Sequence, residues 1–415
     1  SNTNLIAWGE RLLSLYEAGL PCAIDPETLE CKTPEGDSLG GALGTPGAAF
    51  VSTGVLPAAL ERALGVGGWA FTAHPHIDPH SDRLCGWAWQ SVPGQSKIRL
   101  RLFEWGRDWT LLATRDAELL DCQTAPHDFG VTESAYVFVQ NRMDLSPLPF
   151  VAGVRGAGEC LVSRPDLPVQ VVVVPRDPAL PVRAVNGPTK SFEIHTALAH
   201  DGPASGPGGA QGDGWQTVYS AGWDELAAGS FLGEWGASEP FDFELATALS
   251  PDFQNIPATL LWRYEVNAAL GEVRRRVAPG AEGCCIDHPH VNPRFEGSAE
   301  CRFVFASVSN ELPRSGPPCG YVKVDVKAGT RAVWWAGNRT FCEEPVIVPK
   351  ADGTEEDDVW LLGIACDHTV NDKGGESSLL ILDGARLADG PVARVWLGER
   401  LPHGLHGCFT SARES

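Results

Sequence analysis

The chain has 415 residues, with 53 acidic against 32 basic residues and a formal net charge of −21 at pH 7. This length allows two or three ordinary domains or one large repeat domain. The negative charge argues against nucleic acid as a partner, because it would repel a phosphate backbone. No run of 18 apolar residues occurs, so no segment is predicted to span a bilayer, although contact with a membrane surface stays open.

The chain contains one methionine, Met143, so Ser1 is not a translation start, and we expect a leader or an N-terminal part of the protein to be missing. The twelve cysteines are scattered singly apart from Cys284-Cys285, and none forms a CxxC pair. In a chain of this size the pattern favours a reduced intracellular protein over a disulfide scaffold. The compartment itself, plastid or cytoplasm, stays open.

Short β-type runs recur along the chain between turn-rich breaks. Residues 98–103 alternate apolar and polar side chains, which predicts a strand with one buried face. Residues 169–174 are apolar except for Gln170 and lie between two prolines, which is typical of a strand that is buried on both faces. Further strands are predicted at 136–139, 260–266, 302–306, 321–326, 359–362, 379–382 and 392–397.

Helical signals are few: residues 56–64 and 223–231 could each form a short helix. Strands do not alternate with helices, which argues against a parallel doubly wound sheet. Many short strands over this length predict an all-β protein, either one β-propeller or a pair of sandwiches.

Four of the eleven histidines lie at the ends of apolar runs or in tight turns: His74, His127, His195 and His406. Such positions can direct imidazoles toward a common point, and imidazole suits iron, zinc and copper. These histidines are far apart in the chain and form no local motif. Taken alone, each is more readily interpreted as an ordinary hydrogen-bonded histidine than as a metal ligand.

Several ordered sequence blocks resemble those of the carotenoid cleavage oxygenases. The blocks lie at residues 2–4, 11–19, 25–30, 71–79, 126–133, 192–195, 342–349 and 402–407. The stretch 147–161 looks most like the cyanobacterial and algal branch. The resemblance implies a single domain over residues 1–415, a seven-bladed β-propeller with a small helical cap over an iron face, lacking part of its N-terminal blade.

The resemblance also implies a metal centre. Its Fe(II) would be held by the same four histidines and by no carboxylate. Carboxylates would orient the rings from outside, and the matching residues are Glu17, Asp287 and Glu344. Asp287 stands where the family has glutamate, so we expect its hydrogen bond to His195 to be long or bridged by water. The remaining nearby histidines are expected to be ordinary polar neighbours: His76, His200, His288, His290 and His403.

The implied reaction is cleavage of a conjugated C=C bond of a carotenoid or apocarotenoid by O2, giving two aldehyde or ketone products. Two alternatives stay open: a stilbene-cleaving dioxygenase and a non-catalytic propeller that binds a ligand. The stilbene branch places a lysine where this chain has Arg11, and Arg11 is typical of carotenoid cleavers. The expected partners are the polyene substrate and O2, together with peripheral contact to a membrane.

Overall fold

The computed structural model describes residues 3–44, 60, 68–92, 95–145, 160–164, 166–188, 191–204, 208–224, 229–230, 258–311, 316–370 and 375–410. The first half of the strands are β1 (Asn4–Trp8), β2 (Arg11–Leu15), β3 (Cys22–Ile24), β4 (Ala70–Phe71), β5 (His76–Asp78), β6 (Arg83–Ser91), β7 (Lys97–Trp105), β8 (Leu111–Leu120), β9 (Gly130–Val131), β10 (Ala135–Gln140), β11 (Met143–Leu145), β12 (Leu161–Ser163), β13 (Gln170–Pro175) and β14 (Arg183–Asn186). The second half are β15 (Phe192–Asp201), β16 (Gln216–Trp223), β17 (Gly229–Ser230), β18 (Thr259–Asn267), β19 (Glu272–Val277), β20 (Cys284–His290), β21 (Phe303–Glu311), β22 (Gly320–Asp325), β23 (Thr330–Trp335), β24 (Thr340–Cys342), β25 (Val346–Pro349), β26 (Val359–Asp367), β27 (Glu376–Asp383) and β28 (Pro391–Trp396).

Six sheets are built from strands that follow one another along the chain in antiparallel order, as in the blades of a β-propeller. Their strand orders are β1-β2-β3, β4-β6-β7-β8 with β5 on β6, β14-β13-β10-β9, β15-β16-β18-β19, β20-β21-β22-β23 and β24-β26-β27-β28 with β25 on β26. A seventh, small sheet has the order β11-β12-β17. Its strands are only two or three residues long and are inserted between the strands of other sheets.

The predicted strands are confirmed, and their burial follows the sequence pattern. In β7, Ile98, Leu100 and Leu102 are buried while Arg99 is exposed, as the alternation requires. The valine run of β13 is buried on both faces. Turn chemistry also holds: the hairpin between β18 and β19 turns at Gly271, whose φ of 71° favours glycine.

The chain forms two compact units, Ser1–Phe138 with Val172–Val182 and Leu405–Ser415, and Val139–Val171 with Arg183–Gly404. In the first unit, Trp87 and Phe129 pack against Phe138 with ring centroids 6.1 and 5.4 Å away. In the second unit, buried valines of β21 and β22 form one cluster with side chains of β18 and β20. Aromatic and β-branched side chains therefore supply both cores, as expected for strands.

Within most sheets, burial falls from the middle strands to the strand that comes last in the chain. Every residue of β10 and β18 is buried, whereas β8, β19, β23 and β28 expose much of their length. The opposite end strand of five sheets comes first in the chain: β4, β9, β15, β20 and β24. Five of the seven candidate residues lie on or beside these first strands: His74, His127, His195, Asp287 and Glu344.

Two fold predictions need correction. The described residues form six blades, not seven, because β11, β12 and β17 make a separate small sheet instead of a four-stranded one. The predicted helical cap is also wrong for the described residues, where the one helix with a defined span is the short 3-10 helix Gly384–Asp389, capped by the Asp383 side chain. The predicted helix at 56–64 lies outside the described residues except for position 60. In the segment 223–231, Trp223 ends β16 and Gly229–Ser230 form β17, so its described parts are mostly extended.

Two further features complete the fold. Cys22 and Cys31 form a disulfide, which the expectation of reduced cysteines did not include. Among the described residues, no helix is long and apolar enough to cross a membrane.

Candidate metal centre

Three of the four predicted histidines meet in the first unit. The ring of His74 lies 4.5 Å from that of His127 and 4.6 Å from that of His406, measured between centroids. Each offers one ligand nitrogen, and these nitrogens lie within 4.8 Å of one another. Three imidazoles from distant parts of the chain thus converge on one small volume.

His74 owes its position to a break in strand pairing. Strand β6 pairs with Phe71 at Ala88 and with His76 at Cys85, so five steps along one strand oppose three along the other. The excess residues bulge out of the sheet and carry His74 with them. Pro75 favours this break because proline has no N–H for the ladder.

The neighbouring carboxylate of Glu17 contacts the second histidine, His127. Its Oε1 lies 3.0 Å from His127 Nδ1, so the other ring nitrogen, Nε2, is the one that can face a metal. The indole of Trp89 donates a hydrogen bond of 2.7 Å to the carbonyl of Glu17 and holds its main chain. Burial alone would raise the pKa of Glu17, but the hydrogen bond and charge of His127 outweigh it, and the pKa lies below its ordinary value.

The fourth predicted ligand, His195, lies in β15 of the second unit. Pairing of β15 with β16 shifts register on both sides of this residue, between Glu193 and His195 and again between Thr196 and Leu198. The amide side chain of Asn141 accepts from the Glu193 N–H at 2.8 Å and donates to its carbonyl at 2.7 Å. Asn141 therefore fixes the strand two residues before His195.

Asp287 accepts a hydrogen bond from His195 Nδ1 directly, at 2.7 Å. The expectation of a long or water-bridged contact is wrong, because the backbone of β20 bulges here and brings the shorter carboxylate within reach. Burial would raise the pKa of Asp287, but the adjacent His195 and His288 lower it well below its usual range. The carboxylate is therefore ionised at neutral pH.

Glu344, the third predicted carboxylate, lies between β24 and β25 and is buried. Its Oε1 is 2.7 Å from Nε2 of His290, which is two-fifths exposed. No sequence pattern indicates this partner, because 54 residues separate the pair.

Three of the histidines that were expected to be ordinary neighbours have protein partners of their own. His76 Nε2 lies 2.9 Å from Asp128 Oδ1, and His403 Nδ1 contacts Glu343 Oε1. His200 is buried and donates to the carbonyl of the next residue, Asp201, at 2.9 Å. Each contact is that of an ordinary hydrogen-bonded histidine.

The donor set fits a first-row metal of intermediate softness. Imidazole nitrogens suit Fe, Zn and Cu, and carboxylates that contact the far ring nitrogen fix the tautomer and raise the basicity of the ligand. In the first unit, His127 has such a carboxylate partner, Glu17, at its far ring nitrogen. In the second unit, His195 has such a partner in Asp287.

Comparison with known proteins identifies the family. The family described as retinal pigment epithelial membrane protein matches residues 1–411, and the chain belongs to it. The apocarotenoid-15,15'-oxygenase of Synechocystis is 29% identical, over 99% of this chain and 72% of its own length. Carotenoid cleavage dioxygenase 7 of rice is 25% identical, over 98% of this chain and 71% of its own length. Resveratrol cleavage oxygenase 1 of Aspergillus fumigatus is 24% identical, over 100% of this chain and 74% of its own length.

A solved structure extends the likeness to the fold. The crystal structure of cobalt-substituted Synechocystis ACO matches with a TM-score of 0.77 and 26% identity, over 98% of this chain and 73% of that one. The predicted family and the all-β propeller fold are thereby confirmed. The class of enzyme is confirmed as well: a dioxygenase of the carotenoid cleavage type, with a histidine cluster that could bind a metal.

Proposed function

We propose that this chain is a non-haem Fe(II) dioxygenase that cleaves a conjugated C=C bond of a carotenoid or apocarotenoid, giving two aldehyde or ketone products. The observation that carries the proposal is the convergence of His74, His127 and His406, three imidazoles with no carboxylate among the ligands. A relative named apocarotenoid-15,15'-oxygenase aligns with 99% of the chain and supports this substrate class.

The proposed ligand set joins these three histidines with His195. Four neutral ligands leave the charge of a divalent ion uncompensated, so the charge must be balanced by groups behind the ligands. Glu17 and Asp287 provide two such carboxylates, and Glu344 is proposed as the third. When bound, ferrous iron supplies the binding and activation of O2.

The chain's own contribution is to aim the imidazoles. Glu17 and Asp287 lie 3.0 and 2.7 Å from Nδ1 of their histidines. A carboxylate at Nδ1 keeps the proton on that nitrogen, which leaves Nε2 unprotonated and able to bind a metal through its lone pair. The strand pairing is interrupted by bulges beside His74 and at Asp287. A bulge changes the direction of the side chains that it carries, so these two side chains can point away from the hydrogen-bonded strands.

Stilbene cleavage is the second candidate, favoured by relatives named resveratrol cleavage oxygenase and lignostilbene dioxygenase. Arg11, at the position that matches the stilbene branch's lysine, forms an ion pair with Asp37 at 3.1 Å and lies 4.9 Å from the centroid of Trp109. These contacts engage its guanidinium, so Arg11 gives no support to recognition of a phenol. The apocarotenoid proposal is therefore preferred.

A single assay separates these candidates. Iron-loaded protein is incubated under O2 with a panel of apocarotenals and stilbenes, and the aldehydes are identified by mass. We expect cleavage of an apocarotenal, with close to one iron per chain. Products from stilbenes alone would contradict the preferred substrate, and protein that retains no iron would favour the non-catalytic, ligand-binding alternative.

Peripheral contact with a membrane forms part of the proposal, because polyenes partition into lipid. Strand β28 exposes Val392, Val395 and Trp396 by 53, 48 and 43%, an apolar patch on an edge strand. Such a patch can enter a bilayer interface. Flotation with phosphatidylcholine vesicles tests this: Trp396→Ser should reduce the bound fraction, and equal binding of the variant would contradict a role for this patch.

A further inference from the structure

The segment from Asp287 to His290 contains an extra residue. Asp287 pairs with Ser307 and His290 with Phe305, so three steps along β20 oppose two along β21. His288, inside this bulge, has a φ of 50°, in the left-handed region that side chains with a Cβ rarely adopt. Such backbone persists only where the surroundings determine it, and it clusters at functional sites.

The left-handed backbone has a direct consequence for Asp287. It turns the N–H of His288 onto Asp287 Oδ1, with a donor–acceptor distance of 2.7 Å. The same oxygen accepts from His195 Nδ1, also at 2.7 Å. The carboxylate is thus held by two donors, which restricts its rotation and keeps it against His195.

The side chain of His288 is anchored as well. Its Nδ1 lies 3.1 Å from the hydroxyl of Ser307, and that hydroxyl donates to the carbonyl of Asp287 at 2.9 Å. The anchored ring lies beside His195, with centroids 5.1 Å apart and planes tilted by 30°. Backbone and ring of His288 therefore both bear on the Asp287–His195 pair.

We propose that His288 is a positioning residue for the metal centre, whose left-handed backbone and anchored ring bring the short carboxylate of Asp287 to His195. The proposal rests on the proposed function in that His195 binds the metal. It explains why an aspartate, shorter than glutamate by about 1.5 Å, makes a direct contact here.

Variants at His288 separate the backbone from the ring. His288→Asn keeps a residue that tolerates left-handed backbone but removes the imidazole, whereas His288→Val disfavours that backbone as well. The readouts are the affinity for Co²⁺, measured by competition with a chelator, and the visible absorption spectrum of bound Co²⁺, which reports ligand geometry. We expect His288→Val to bind about 10–100-fold more weakly with an altered spectrum, and His288→Asn to lie between it and the parent.

Serine variants on β21 provide the matched test. Ser307→Ala removes the anchor and should lower the Co²⁺ affinity and change the spectrum, while Ser307→Thr keeps a hydroxyl and should restore both. Ser309→Ala, a buried serine on the same strand that contacts Gly316 instead, should match the parent. This series also decides the matter if His288→Val does not fold.

Two results would overturn the proposal. One is parental Co²⁺ affinity and spectrum in Ser307→Ala together with the same result in His288→Val or, if that variant does not fold, in His288→Asn. The other is a second Co²⁺ per chain that His288→Asn removes, because ligand atoms of His195, Asp287 and His288 lie within 4.8 Å of one another and would then form a metal site themselves. Co²⁺ binding is measured without substrate, so absent apocarotenal cleavage contradicts only the proposed reaction, whereas absent Co²⁺ binding contradicts both.

Discussion

Nε2 of His290 lies 2.7 Å from Oε1 of Glu344, so a histidine that was expected to be a bystander holds a carboxylate expected to serve the metal. Glu344 is buried and His290 is two-fifths exposed, which leaves the carboxylate inside and its partner at the surface. A hydrogen-bonded pair therefore connects a buried carboxylate of the second unit to a solvent-exposed imidazole.

Glu344→Gln should keep the fold but weaken iron binding about 10–100-fold, because the amide lacks the negative charge that balances neutral ligands. The measurement is a competition titration with a chelator. Glu343→Gln is the control, since Glu343 contacts the exposed His403. Equal affinities in the two variants would show that Glu344 does not serve the metal.

His127→Ala should abolish iron retention and apocarotenal cleavage together, lowering the affinity by more than the roughly 100-fold expected for an outer partner. Metal analysis after dialysis and product analysis by mass check this. His403→Ala, a change at a histidine outside the proposed set, should leave both unchanged. Normal turnover in His127→Ala would refute its assignment as a ligand.

Glu104→Gln should destabilise the first unit and change its response to acid. Glu104 is buried and accepts from Arg176 at 2.8 Å and from the hydroxyl of Tyr136. Burial would raise the pKa of Glu104, but hydrogen bonds from Arg176, Tyr136 and Arg83 lower it. A lowered pKa stabilises the fold above the ordinary value of about 4.3, and this stabilisation is lost as the pH falls through the lowered pKa.

The measurement is urea unfolding of parent and Glu104→Gln at several pH values. Breaking a buried ion pair costs about 3–5 kcal/mol, and an amide that keeps part of the hydrogen bonding should cost somewhat less. The difference should be constant above about pH 5 and shrink progressively below about pH 4. A difference that grows on acidification would contradict this assignment.

Cys22→Ser should lower the free energy of unfolding by about 2–3 kcal/mol under oxidising conditions, because a bond across nine residues of sequence separation restricts the unfolded chain. Urea titrations with and without dithiothreitol check this. The parent should lose stability on reduction and the variant should not. If the free energy of unfolding of the parent were the same with and without dithiothreitol, a stabilising role of the disulfide would be contradicted.

Local patterns predicted the strands well, because alternation and apolar runs report burial directly. The run 169–174 and the alternating 98–103 both fall within strands of the expected exposure. For the residues that the structure describes, the seventh blade and the helical cap were wrong, since they came from the family's architecture rather than from residues of this chain. The Cys22–Cys31 bond was missed because spacing alone does not fix pairing.

The site was predictable only in part. His74, His127 and His406 were found through block resemblance, since no pattern in the chain itself relates residues so far apart. The direct Asp287–His195 contact could not be predicted, because it depends on a bulge and a left-handed residue that the sequence does not announce. Family resemblance predicts which residue types occupy the site, whereas the local backbone geometry determines which of their atoms come into contact.

The exposed last strands of four sheets, β8, β19, β23 and β28, lie at the opposite end of their sheets from the first strands. Those first strands carry or adjoin His74, His195, Asp287 and Glu344. A fluorophore or an affinity handle attached there is separated from the chemistry by the buried strands of the same sheet. Immobilised or labelled forms of the enzyme could thus be made at these positions with the candidate metal-binding histidines untouched.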